Sequence, residues 1–148
     1  SQTIFTPSRR YISVSDHPVA DAGWQILKQV ATKIAGLGKE NDVQVVFTII
    51  PTKELVYAEK LNPGKYDVSA RYRQHVSAEL RRIKDLEAHL QSMDGADYVP
   101  VWGPLQQAAL GDDPLYPPTS DGHPLPHGYL AIANALAPTL HGLLETRE

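Results

Sequence analysis

The strongest constraint on the fold of this chain is the stretch "DVQVVFTII", residues 42–50, in which apolar and β-branched side chains follow one another almost without interruption. The polar residues "KEN" precede the stretch and Pro51 follows it. A run of this kind is typical of a strand that is buried on both faces of a parallel sheet, because helices cover both sides of such sheets. The sequence therefore predicts a central strand over residues 43–50.

A helix is predicted before this strand, in "SDHPVADAGWQILKQVATKIAGLG". Ser15 or Asp16 is a candidate N-cap, and Pro18 suits the first turn, where its missing N–H costs no hydrogen bond. Gly36 and Gly38 are expected to end the helix. The apolar residues predicted to face the core are Leu27, Val30 and Ile34.

A second helix is predicted over residues 69–93, where apolar side chains recur every three or four positions while arginine and lysine occupy positions between them. The apolar set is Tyr72, Val76, Leu80, Ile83, Leu86, Leu90 and Met93. "ADYVPVW" then predicts a short second strand, and "GPLQQAAL" predicts a short helix after it. Helices that alternate with strands favour an α/β fold with parallel strands and right-handed crossovers.

The end of the chain is predicted to be a loop and a helix. The proline-rich stretch 111–127 reads as the loop, and the helix that follows is expected to kink at Pro138. The apolar face of this helix is Tyr129, Ile132, Leu136 and Leu140. Residues 1–148 are therefore interpreted as a single α/β domain.

Composition excludes several classes of function. The chain has 148 residues, 42% of them hydrophobic and 21% charged, which is enough for one domain with a core. Its 14 lysines and arginines against 17 aspartates and glutamates give a net charge of −3, so no nucleic acid or anionic membrane is predicted as a partner. Cysteine is absent, which excludes disulfides and thiol chemistry, and no apolar run is long enough for a transmembrane segment.

The residues that point to chemistry are Asp121 and His123 in "TSDGHPLPHGYLAIANAL", residues 119–136. Ligands of open α/β sheets bind beyond the carboxyl ends of the strands, and both this loop and "PTKELVYAEKL" follow a predicted strand. Residues two apart in an extended segment project to the same side, and Pro124 biases His123 towards an extended backbone. A carboxylate bonded to one ring nitrogen would leave the other as a base near neutral pH.

Other interpretations of this loop remain open at this stage. Asp121 and His123 could form a hydrogen-bonded pair that only stabilises the loop. His123 and His127 lie four residues apart, but Pro126 prevents a regular helix across both and no further ligands cluster nearby, so no metal is predicted.

Ser15 is a candidate nucleophile, since it follows "YISV" and precedes a helix, although it would serve equally well as a helix cap. Lys53 and Glu54 are expected to be a solvated pair, and Tyr57 is expected to pack.

Two segments of the chain resemble the SGNH (GDSL) hydrolase superfamily. "SDGHPLPHGYLAIANAL" is similar to the last block of that superfamily, in which an Asp-x-His or Asp-x-x-His loop precedes a helix that starts near a Gly-Tyr pair. "FTIIPTKELVYAEKL" resembles a strand and loop of a subset that includes relatives of the alginate O-acetyltransferases. The resemblance implies a three-layer α/β/α fold of flavodoxin-like type, of which this chain would hold the C-terminal portion.

The resemblance also implies a function. His123 would be the catalytic base and Asp121 its orienting acid, in an enzyme that cleaves or transfers acyl esters through a serine and needs no cofactor. The substrate would be an acyl ester, including an acylated glycan, which suits a periplasmic or secreted protein. A non-catalytic module that binds a carbohydrate or a protein partner is the alternative, and a plain α/β interaction domain is a third possibility.

The nucleophile of such an enzyme is not evident in the chain. No Gly-Asp-Ser block is present, and the block that supplies the oxyanion asparagine is missing as well. We therefore expect the serine to come from sequence outside these 148 residues, on the N-terminal side in the usual order or on the C-terminal side as in the alginate acetylation proteins. The missing part, or a second chain, is then expected to cover the free edge of the sheet.

Overall fold

The computed structural model describes residues 18–61 and 67–145. The elements in chain order are α1 (Pro18–Glu40), β1 (Val45–Phe47), α2 (Lys53–Val56), α3 (Ala70–Gln91), β2 (Ala96–Tyr98), α4 (Trp102–Leu110) and α5 (Pro126–Glu145). The two strands are parallel and pair with each other. The described part of the chain is therefore a mixed α/β structure, mostly helical, with a small parallel sheet. No helix in these ranges combines the length and the apolar character needed to cross a bilayer.

Strand β1 is shorter and more exposed than predicted. Only Val45–Phe47 pair with β2, and the ends of the predicted strand are open to solvent, with Val43 57% and Ile50 52% exposed. Helices α1 and α3 pack on each other and on one face of the sheet, where Phe47 lies against Ala31 and Leu86 in one apolar cluster. The prediction of a central strand buried on both faces is therefore wrong for the described residues, in which β1 has one strand neighbour.

Helix α1 buries a different face from the one predicted. Leu27, Val30 and Ile34 are each more than 40% exposed, while small residues lie against the rest of the fold. The buried positions are Ala20, Ala31, Ala35 and Gly38. Small side chains let the helix axis approach its neighbours closely, so the larger apolar side chains end up on the outer face. That outer stripe consists of Val19, Ile26, Leu27, Val30, Ile34 and Leu37.

The two glycines expected to end α1 lie inside it, and the helix continues to Glu40. Helix propensity disfavours glycine by only about 1 kcal/mol, which tertiary packing can override. At Gly38 that packing is visible, because an added Cβ would clash with Cγ2 of Val45. The candidate caps of this helix, Ser15 and Asp16, lie outside the described residues.

Helix α3 is confirmed over most of its predicted length. It begins after Ser69, whose side chain accepts a hydrogen bond from the backbone N–H of Tyr72 at 3.1 Å. Among the predicted apolar positions, the fully buried ones are Tyr72, Ile83, Leu86 and Leu90. The buried face also includes His75 and Glu79, two polar residues that the apolar periodicity did not predict.

A second apolar cluster joins α2, α4 and α5. Its buried members are Val56, Tyr57, Val101, Leu105, Ala109, Leu115, Tyr116 and Ile132. Tyr57 packs as predicted, edge-to-face against Tyr116 with ring centroids 6.0 Å apart. The loop before α5 ends at Leu125, two residues earlier than predicted, because Pro126 suits the first turn of a helix. Pro138 lies inside α5.

A matched pair of substitutions tests the close contact between α1 and the strand β1. Gly36→Ala should stabilise the fold by about 0.5–1 kcal/mol, because alanine favours the helix and a Cβ there meets no atom within 4 Å. Gly38→Ala should instead destabilise it, because the new Cβ would overlap the side chain of Val45. Urea denaturation of both variants measures the two changes. Equal stabilisation by both would show that α1 does not approach β1 this closely.

Candidate functional site

The loop that carries the candidate pair lies against the turn that follows β1. Lys53, the first residue of α2, directs its Nζ at the carbonyl oxygens of Thr119 and Asp121, at 2.5 and 3.0 Å. The loop is held at its far end by a 2.7 Å hydrogen bond from the backbone N–H of Leu125 to the carbonyl of Leu115. The segment that follows β1 and the loop before α5 therefore contact each other.

Asp121 and His123 are in direct contact. Oδ1 of Asp121 lies 2.6 Å from Nδ1 of the His123 ring, and it also accepts the backbone N–H of His123 at 3.0 Å. The backbone N–H of Asp121 in turn donates to Oγ1 of Thr119 at 3.2 Å. One carboxylate oxygen thus fixes both the backbone and the ring of the histidine, in a turn that is closed by its own side chains.

The charge on Asp121 determines which ring nitrogen carries the proton. Its pKa is held below the ordinary value, first by the backbone N–H of His123, then by the ring of His123. Asp121 is therefore ionised near neutral pH and can only accept hydrogen bonds. Because Nδ1 must then donate, the neutral ring carries its proton on Nδ1 and presents the lone pair of Nε2 outwards.

The outward nitrogen of His123 faces open space. The side chain of His123 is 85% exposed and that of Asp121 is 53% exposed. Among residues 18–61 and 67–145, no serine hydroxyl forms a hydrogen bond with this ring. The rival nucleophile, Ser15, lies outside the described residues. The described loop thus holds an oriented imidazole, and no described serine hydroxyl bonds to it.

A cavity of about 450 Å³ lies at the amino ends of the two strands. Its lining comes from residues 38–44 and 93–97, at the amino ends of β1 and β2. The carboxylate of Asp94 in this lining is paired with Lys39, and that of Asp97 accepts a hydrogen bond from Gln44. Neither Asp121 nor His123 lines this cavity, so it is separate from the candidate pair.

Lys53 and Glu54 are buried, so the prediction of a solvated pair is wrong. Each is 1% exposed, because the single turn of α2 is enclosed by α3, α4 and the loop before α5. Burial lowers the pKa of Lys53, whereas the nearby carboxylates of Glu54 and Asp121 act in the opposite direction. Sequence pattern could not reveal this burial, since a four-residue turn has no periodicity to read.

A buried polar cluster on α3 holds the start of α2. Glu79 is 3% exposed and accepts two hydrogen bonds from Thr52, from its backbone N–H at 2.8 Å and from its hydroxyl at 2.6 Å. His75 lies one turn earlier, with Nε2 3.7 Å from Oε2 of Glu79. Burial raises the pKa of Glu79 despite the bonds from Thr52, and burial lowers the pKa of His75.

The residues that the structure describes hold no obvious metal site. Within them, no three histidine, aspartate or glutamate side chains come together in a way that could hold a metal ion. His127, the second histidine of the loop region, lies 3.8 Å from a carboxylate oxygen of Asp113 instead. The two histidines therefore have separate acidic neighbours.

The proton position on His123 can be measured in the isolated chain. The ¹⁵N chemical shifts of neutral His123 should show the proton on Nδ1, because the ionised Asp121 carboxylate accepts a hydrogen bond there. Asp121→Asn should remove this preference, while His127 serves as an internal reference that the substitution leaves unchanged. A neutral His123 with its proton on Nε2 in the wild-type chain would contradict the geometry.

The buried histidine on α3 predicts a pH dependence of stability. Burial lowers the folded-state pKa of His75 below its ordinary value of 6.5, so between those two values the unfolded chain binds more protons. Stability should therefore fall as the pH drops from 6.5 towards the folded-state pKa. Glu79 has the opposite effect on stability. Because its folded-state pKa is raised above the ordinary value of 4.5, its contribution to stability is fully present below pH 4.5 and is lost as the pH rises through the folded-state pKa.

Thermal unfolding of the wild-type and His75→Gln proteins between pH 7.5 and pH 5.5 isolates the contribution of His75 to stability, because Glu79 is present in both proteins. The wild-type melting temperature should fall further on acidification than that of the variant. An equal fall in both proteins would show that His75 titrates alike in the folded and unfolded states.

Comparison with known proteins identified no relative of this chain. No family model, no curated protein and no solved structure matches the chain. The resemblance to SGNH hydrolases consequently rests on two segments of the sequence, residues 47–61 and 120–136.

Proposed function

We propose that this chain supplies the histidine and aspartate of the catalytic triad in a serine-dependent ester hydrolase or O-acyltransferase of SGNH type. His123 is the general base and Asp121 orients it. The serine comes from sequence beyond these 148 residues. The substrate class is an acyl ester, with an acylated glycan as the expected example.

The observation that carries this proposal is the 2.6 Å contact between Asp121 and Nδ1 of His123, with Nε2 left open. In a triad, the carboxylate fixes the tautomer and stabilises the imidazolium that forms during reaction. Nε2 takes the proton of the serine hydroxyl while the serine oxygen attacks the acyl carbonyl. The same nitrogen then returns the proton to the departing alcohol. Water or a sugar hydroxyl then attacks the acyl carbonyl while Nε2 takes its proton, and Nε2 returns that proton to the serine oxygen as the acyl–serine bond breaks.

Two exposed surfaces support the further proposal of a larger, three-layer sheet. The outer edge of β1 has no strand partner among the described residues, and edges of this kind are normally paired or covered. The outer stripe of α1 exposes large apolar side chains that a neighbouring helix or strand would bury. Additional strands beside β1, with their helices, would cover both surfaces.

A non-catalytic binding module remains the second candidate, and one observation favours it. The ring of His123 is 85% exposed, and neither residue of the pair lines the cavity described above. An exposed pair of this kind can also serve to close the loop without reacting. The two candidates differ in whether a nucleophilic serine completes the site.

Esterase activity of the protein expressed from its complete open reading frame tests the proposal. His123→Ala should lower the turnover of p-nitrophenyl acetate by at least about a hundredfold, which is the usual contribution of a general base. Its melting temperature should stay within about 2 °C, because an exposed side chain makes few core contacts. His127→Ala is the matched control, an exposed histidine near the same loop, and should leave the turnover unchanged.

The isolated 148-residue chain provides the complementary experiment. It should show no serine-dependent turnover and no labelling by a fluorophosphonate, a reagent that modifies activated serines. Labelling of this chain that disappears in Ser15→Ala would identify Ser15 as the nucleophile. Unchanged activity of the complete protein after His123→Ala would instead favour the non-catalytic candidate.

A further inference from the structure

The ammonium group of Lys53 contacts the backbone of the loop that carries Asp121 and His123. The side chain is 1% exposed, and its Nζ donates to the carbonyl oxygens of Thr119 and Asp121. These two carbonyls flank the stretch of backbone from which the Asp121 carboxylate projects. The cation therefore contacts the backbone of the same residue that holds the histidine ring.

Burial of an ammonium group is unfavourable in free energy. Removing such a charge from water costs several kcal/mol unless hydrogen bonds and opposite charges compensate. Here the compensation comes from the two carbonyls and from the nearby carboxylates of Glu54 and Asp121. An apolar side chain of similar volume would fill the position but would leave both carbonyls without their donor. The two hydrogen bonds from Lys53 therefore fix the position of the loop, which an apolar contact alone would not do.

The lysine is itself held in place from the core. Thr52 caps α2 by accepting a hydrogen bond from the backbone N–H of Leu55, and both donors of Thr52 bind the buried carboxylate of Glu79. The backbone at Lys53 is therefore anchored to the long helix α3. A continuous set of contacts runs from Glu79 through Thr52 and Lys53 to the backbone of Asp121.

We infer that Lys53 is a positioning residue of the proposed catalytic pair. It fixes the backbone of residues 119–121, and this backbone directs the Asp121 carboxylate towards Nδ1 of His123. The inference rests on the proposed function for its catalytic meaning. Its structural content concerns the isolated chain and can be tested there without any esterase activity.

The wild-type chain provides the first test. If the ammonium donates to the loop, the Lys53 protons should exchange slowly with water, and Nζ should show scalar couplings across hydrogen bonds to the carbonyl carbons of Thr119 and Asp121. Lys60 is the internal control, because it donates to the carbonyl of Gly111 at 2.8 Å from a more exposed position. Fast exchange of the Lys53 protons without these couplings would overturn the inference.

Substitution provides the second test. Lys53→Met keeps the length and apolar volume of the side chain and removes the donors, so neutral His123 should lose its preference for the proton on Nδ1. The pKa of Asp121 should also rise towards its ordinary value, because its bonds to His123 weaken and a neighbouring cation is lost. Lys60→Met removes a lysine that donates to the start of the same loop and should change neither quantity. Lys53→Arg, which retains a cationic donor, should restore part of the preference.

Activity of the complete protein separates this inference from the proposed function. Lys53→Met should lower kcat by roughly ten- to a hundredfold with little change in KM, since small misplacements of a catalytic group cost rates of this size. If His123→Ala abolishes turnover but Lys53→Met leaves the tautomer of His123 and kcat unchanged, the positioning role fails and the esterase stands. If Lys53→Met shifts the tautomer while His123→Ala leaves turnover unchanged, the positioning role holds and the esterase fails.

Discussion

The hydrogen bonds from the buried ammonium of Lys53 to the carbonyls of Thr119 and Asp121 connect two parts of the chain that are far apart in sequence. On one side is the turn after β1, anchored to α3 through Thr52 and Glu79. On the other is the loop before α5, packed on the cluster around Tyr116. The position of the candidate site relative to the sheet depends on this connection.

The chemistry of the site itself is local. Asp121 reaches His123 through a turn of three residues, so both contacting groups come from one short segment of the chain. A distant residue, Lys53, contacts the backbone from which the carboxylate projects. An imidazole oriented in this way becomes catalytic only when a nucleophile stands beside Nε2.

The sequence predicted the structure correctly where a pattern was compatible with only one structure. The periodicity of α3 extends over six turns and admits only a helix with one buried face, and the Asp-x-His spacing before a proline brought the two side chains together as expected. It failed where two arrangements suited the same residues. Helix α1 has large apolar residues on one face and alanines on another, and the alanine face was the one that packed, because it allows the closer approach.

The sequence by itself determined the alternation of the longer helices with two strands and the contact between Asp121 and His123, because each follows from residues that are near one another along the chain. Only the tertiary structure decided the burial of Lys53, Glu54 and the acidic side chain of Glu79, the extension of α1 through Gly38, and the exposed edge of β1. These features depend on which surfaces meet across the fold. A charged side chain can be buried where its partners come from distant segments, and no local pattern records those partners.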